Sequence, residues 1–170
     1  ILGTDKIIKS IKSMKVGRLN LSVYDALFVL LAVVSLVLRI NNLDFPLLSN
    51  SDIARDYLIS HHIAADKEFP LNGPGSSIGI VNSPFYQYLL ALFLLIQDDF
   101  LFLSFVNIFF QILTILLVYV IAKKMFGAAP AFAAALLFAF TRHIFHYSDY
   151  IWQAYLMHPF VNASFLLLLL

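Results

Sequence analysis

Cysteine is absent from the 170 residues, which excludes disulfides, thiolate metal sites and a cysteine nucleophile. Charge is scarce as well: 12% of the chain is Asp, Glu, Lys or Arg, about half the ~25% usual in soluble domains. A net charge of +1 leaves no global field that would draw nucleic acid. The one glycine-rich stretch, "GPGSSIG" at 73–79, fits neither G-x-G-x-x-G nor a Walker A pattern, and no Lys-Ser/Thr follows it. It is therefore read as a turn whose glycines allow close backbone approach, and a nucleotide-binding loop is set aside. What the chain has instead is apolar and aromatic: 61% hydrophobic residues, with 17 Phe and 8 Tyr. That composition belongs to a membrane protein. The sequence opens at Ile1 and closes on "FLLLLL", about a dozen residues into an apolar segment that needs roughly 20 to span, so a fragment is expected.

Residues 1–18 form a basic segment, with Lys6, Lys9, Lys12, Lys15 and Arg18 three apart and Ile7, Ile8, Ile11 and Met14 between them. The spacing predicts a basic interfacial helix on the cytoplasmic side. Residues 19–40 are the first span, with Asp25 and Arg39 near its ends, where they can reach the interfaces. "LVLRINN" offers no small-x-small cleavage site, so a cleaved signal peptide is not expected. Residues 41–99 are then an outer loop holding two juxtamembrane helices. The first, about 51–66, can be capped by Asn50 or Ser51, is favoured by Asp52 and Asp56 near its N-terminus, and carries Ile53, Tyr57 and Leu58 on an apolar stripe. The second, about 84–97, can be capped by Ser83 or Asn82, with Pro84 at its first position.

That second helix decides the topology. Its apolar run from Phe85 to Ile96 reaches about 18 Å, against a hydrocarbon core of roughly 30 Å. If it lies flat, Lys123 and Lys124 join the N-terminal cations inside, and Arg39, Arg55, Lys67 and Arg142 face outward, which suits the positive-inside rule better than a crossing does. The second span is 100–122, the third 125–141, the second outer loop 142–158, and 159–170 starts a fourth span. The sum is an all-α, polytopic, multi-pass integral membrane protein with a cytoplasmic N-terminus and one membrane domain, its two polar loops on the same non-cytoplasmic face.

Asp52, on a surface helix beside an apolar wall, is the candidate general base for an acceptor hydroxyl. Arg55 and Arg142, with His61, His62, His143 and His146, supply donors suited to phosphate, arginine above all for its two-pronged geometry. Metal is not favoured: adjacent His61 and His62 diverge on a helix, and His143 and His146 lack a third ligand.

The order of parts carries a resemblance. A basic N-terminus, a span, an outer loop with an early Asp in "NSDIARDY", the turn "PLNGPGSSIG", the helix "SPFYQYLLALFLL", a span ending "VYVIAKKMFG", an alanine-rich span and "YSDYIWQAYLMHPF" together resemble the N-terminal part of GT-C superfamily membrane glycosyltransferases. The likeness is to glycosyltransferase family 39 in the broad sense, the protein O-mannosyltransferase and aminoarabinose transferase group. It implies a GT-C-like fold and an enzyme that moves a sugar, with inversion, from a polyprenyl-phosphate donor to an acceptor hydroxyl on the outer face. The acceptor would be a lipid, a glycan or a protein. Asp52 matches the place of the family's catalytic Asp, although Ile53 stands where a paired Glu is often found. Trp152-Gln153 resembles the Trp-Asn pair of many relatives, with Asp149 as a nearby acid. On this basis the donor phosphate and substrate would be held by Arg55, Asp56, Arg142, His143, His146, Asp149, Trp152 and Gln153. No cofactor is assigned from these residues, and a divalent cation is left open as a candidate. The alternative is a transporter or channel subunit with Asp25 or Asp149 lining a polar path.

Overall fold

Ser22 decides where the first long helix begins. Its hydroxyl accepts from the Asp25 N–H at 3.3 Å while the Asp25 carboxylate takes the Ser22 N–H at 2.8 Å, a reciprocal capping box. The computed structural model describes residues 14–16, 19–43, 51–75, 79–146 and 150–170. Among them the chain is all-α apart from one short antiparallel ribbon, β1 (Met14–Val16) paired with β2 (Leu19–Leu21). The helices are α1 (Val23–Asn41), α2 (Ser51–Ala65), α3 (Phe85–Leu94), α4 (Phe100–Phe126), α5 (Ala128–Phe140), α6 (Arg142–His146), α7 (Gln153–Leu156) and α8 (His158–Leu168).

Two boundaries differ from those the sequence predicts. The basic interfacial helix lies mostly outside the described residues, and where it is described, at Met14–Val16, it is strand. Gly17 weakens helix propensity there, and the Ser22 cap starts α1 at Val23 rather than Leu19. In the second and third spans, Lys123 and Lys124 do not end the helix. α4 continues to Phe126, and Gly127, at φ 89°, turns the chain into α5. Asn50, one of the two candidate caps of α2, lies outside the described residues.

α1 and α4 are long and apolar enough to cross a membrane. α3 has 10 residues, about 15 Å of rise, half of what a crossing needs. α1 buries Phe28, Leu31, Ser35 and Arg39 at three- and four-residue steps, against α4 and α5. α5 meets them with Ala131, Ala135 and Ala139, all fully buried. Side chains this small at four-residue steps let helix backbones come close, which is how packing is gained where lipid removes the hydrophobic drive.

A second core lies at the N-terminal end of α4. Ile53 of α2, Tyr86, Leu90 and Leu94 of α3, Phe100 and Leu103 of α4, and Ile151 and Leu156 of the later loop form one buried cluster. Both polar loops are thus packed on the same end of α4. At its opposite end, Tyr119 and Lys123 both bond to Asp25 of α1. Asp25, one of the two residues offered for a transport path, is thereby held within a cap and an ion pair.

Between α2 and α3 the residues at 73–75 and 79–83 lie side by side as the two runs of a strap. Gly73 N–H donates to the Asn82 carbonyl at 2.9 Å and Asn82 N–H to the Pro74 carbonyl at 3.2 Å. A Cβ on Gly73 would stand 2.7 Å from the Ser83 carbonyl oxygen, so only glycine allows the two runs to lie this close.

Candidate functional site

Three-residue spacing on α2 brings Asp52 and Arg55 together, and the next residue turns inward. Arg55 Nη1 donates to Asp52 Oδ1 at 2.9 Å, and its Nε and Nη2 donate to Asp56 Oδ1 at 3.2 and 3.1 Å. The two carboxylates differ sharply in setting: the Asp52 side chain is 61% exposed and that of Asp56 only 7%. Asp56 is reached from α3 as well, by Gln87 Nε2 at 3.3 Å. Burial pushes the Asp56 carboxyl above its ordinary value, against the pull of the Arg55 charge and the hydrogen bonds from Arg55 and Gln87. Beside it, burial and the Asp56 charge hold the Tyr86 phenol well above its usual pKa, so that it stays protonated.

Asp52, Arg55 and Asp56 line a cavity of about 260 Å³ with Gln87 of α3, Pro74, Gly75 and Asn82 of the strap, and Trp152 and Gln153 of the second loop. The second loop reaches it because α4 holds that loop by its backbone. Asn107 Nδ2 donates to the Tyr150 carbonyl at 2.8 Å and Gln111 Nε2 to the Tyr155 carbonyl at 2.9 Å. Ser104, Asn107, Gln111 and Thr114 recur at three- and four-residue steps on the inner face of α4 and are all buried. A polar stripe at helical spacing inside an apolar span is the signal that could have identified this clamp.

Five of the nine residues marked out by sequence therefore share one cavity: Asp52, Arg55, Asp56, Trp152 and Gln153. Arg142, His143 and His146 do not line it. They sit on α6, which packs against the end of α5 and of α1: Phe145 lies 5.1 Å from the Arg39 guanidinium, and His143 Nε2 is 2.8 Å from the Tyr155 hydroxyl. Loop proximity in sequence brought them into the predicted site, whereas all three belong to the five-residue α6 and are absent from the cavity lining. Asp149 is outside the described residues. Gln87 was missed, although it is the one amide in the apolar run after Pro84. Among the described residues no three His, Asp or Glu side chains converge on a common point, and the cavity's two carboxylates already share one arginine.

The result is a polar, cation-bearing cavity at the N-terminal end of α4, built from two loops about a hundred residues apart. The family model of dolichyl-phosphate-mannose-protein mannosyltransferase matches residues 81–170. The chain belongs to this family. It is accordingly a GT-C type glycosyltransferase chain of an integral membrane protein, as the two membrane-length helices α1 and α4 also indicate. No curated protein and no solved structure matches it. The matched residues contain Gln87, Trp152 and Gln153, and the cavity joins them to Asp52, Arg55 and Asp56, which precede the match.

Proposed function

We propose that the full-length protein transfers a sugar, mannose in the first instance, from a polyprenyl-phosphate carrier to an acceptor hydroxyl on the non-cytoplasmic face, with inversion. The observation that carries this reading is the shared cavity: an exposed carboxylate and an arginine from α2 stand opposite Trp152 and Gln153 from the second loop. Asp52 takes the proton of the acceptor hydroxyl as its oxygen bonds to the sugar's C1, and the C1–O bond to phosphate breaks with its electron pair leaving on phosphate. One displacement at C1 inverts its configuration. Arg55 receives the charge that grows on the departing phosphate, an interaction that strengthens toward the transition state and so accelerates the step. The lipid chain lies along the apolar, phenylalanine-rich surfaces of the spans.

The same reading keeps the N-terminus cytoplasmic and lays α3 along the outer interface, because a crossing α3 would part the two loops that build the cavity. Incubation of the full-length protein with a panel of polyprenyl-phosphate sugars tests it. Consumption of one lipid-linked donor, with release of polyprenyl phosphate, is the expected result; a panel left intact counts against the function.

A further inference from the structure

A second cavity, of about 530 Å³, lies at the far end of α4 from Asp52 and Arg55 and is lined by α1 and α4. Phe28 and Val29 of α1 with Leu116 and Val120 of α4 form its apolar wall, while Asp25, Tyr119, Lys123 and Lys124 form its polar end. Two helical turns separate Leu116 from Lys124, about 11 Å of axis, so the groove runs from apolar to cationic along the direction in which α4 crosses. The 27 residues of α4 rise about 40 Å, more than a hydrocarbon core of roughly 30 Å, which sets the lysines of its last turn at headgroup depth.

The charges at that end do not cancel. Asp25 is buried and both its oxygens are occupied, Oδ2 by the Ser22 N–H and hydroxyl, Oδ1 by the Tyr119 hydroxyl and Lys123. Lys123 is thereby balanced, and its ammonium also lies 5.7 Å from the centre of the Tyr119 ring. Lys124 is exposed, and its ammonium has no partner among the described residues. Two lysines against one carboxylate leave a single positive charge beside an apolar groove.

We propose that this groove is a site for an anionic phospholipid, with the phosphate on Lys124 and one acyl chain laid along Phe28, Val29, Leu116 and Val120. Only a lipid offers an anion at headgroup depth and hydrocarbon directly below it. A lipid of one net negative charge, such as phosphatidylglycerol, balances the uncompensated lysine, whereas phosphatidylcholine carries its own cation and gains less. Bound there, the lipid bridges α1 and α4 beside the Asp25–Lys123 pair. The site is separate from the cavity of Asp52 and Arg55, so it stands or falls independently of the transferase reading and of which way the chain is inserted.

The test sets the full-length protein in phosphatidylcholine nanodiscs containing a small fraction of a photoactivatable probe. The probe is phosphatidylglycerol or phosphatidylcholine, with the same diazirine on an acyl chain, and crosslinked peptides are mapped by mass spectrometry. In the wild type, residues 28–29 and 116–120 should be labelled about fivefold more by the phosphatidylglycerol probe, the effect of one lysine on a lipid anion. Lys124→Gln should bring the two probes level, and Lys124→Arg should keep the preference, because charge carries the recognition. Lys124→Ser replaces Lys124→Gln if the latter is not monodisperse. At Phe109, exposed on α4 away from the lysines, the probes should label alike. Equal labelling of the groove by both probes in the wild type overturns the proposal. So does a preference that survives Lys124→Gln, one that Lys124→Arg abolishes, or one found equally at Phe109, which would mean a general attraction of anionic lipid to the protein.

Discussion

Replacing Gln111 by leucine should loosen the second loop while leaving the helices in place. In the native fold, Gln111 Nε2 donates to the Tyr155 carbonyl at 2.9 Å, with Gln111 fully buried and Tyr155 2% exposed. Loss of a donor to a buried carbonyl costs about 1–3 kcal/mol. Part of that is returned, because Gln111 Oε1 is itself buried without a donor and leucine removes it. A net cost of about 1–2 kcal/mol corresponds to a factor of roughly 5–30 in the opening equilibrium of the segment. Hydrogen exchange followed by mass spectrometry on the full-length protein measures this directly. Amides in 150–156 should exchange about 5–30 times faster, and those of α5 should not change. Thr114→Val is the control, since its hydroxyl bonds to the Phe110 carbonyl of its own helix at 2.8 Å rather than to the loop. Unchanged exchange in 150–156 for Gln111→Leu would refute the clamp, and so would equal acceleration in Thr114→Val.

Three further outcomes follow from the same geometry. Burial raises the Asp56 pKa above 3.8, so its contribution to stability is full below that value and is lost as pH rises through the folded-state pKa. Asp56→Asn has no such loss; the melting-temperature difference, variant minus wild type, should grow in the variant's favour between pH 4 and pH 7, and a constant or shrinking difference would remove the buried-carboxylate account. Gly73→Ala sets a methyl 2.7 Å from the Ser83 carbonyl and should lower stability by about 1–3 kcal/mol, seen as a lower melting temperature. Because the chain has no cysteine, Gln97→Cys and Lys124→Cys can report sidedness; both positions are exposed, and the 27-residue α4 between them rises about 40 Å. An impermeant thiol reagent applied from outside should label the first and spare the second, and the reverse pattern would contradict a flat α3.

The membrane helices were legible because apolar length is a strong signal, and the meeting of Asp52 with Arg55 because residues three apart on a helix are neighbours. Trp152 and Gln153 were legible through family resemblance and not through spacing. Which carboxylate is buried was not readable on α2 alone: Asp52 and Asp56 lie one turn apart, and the docking of α3, with Gln87, decides between them. The clamp on α4 escaped notice for a related reason, since a polar residue in a span reveals a partner only when the partner's backbone is in place. The ends of α4 and α5 were misjudged because lysines were read as interface markers. Long lysine side chains extend along a helix to reach charge, as Lys123 does toward Asp25, and the break belongs to Gly127.

Turnover of a polyprenyl-phosphate-linked mannose donor by full-length wild type and Asp52→Asn, prepared identically in proteoliposomes, tests the central claim. The account predicts release of polyprenyl phosphate by the wild type and a rate lower by about 10²-fold or more in Asp52→Asn, the usual contribution of a positioned general base. Equal rates in the two proteins, or no release by the wild type, would contradict it.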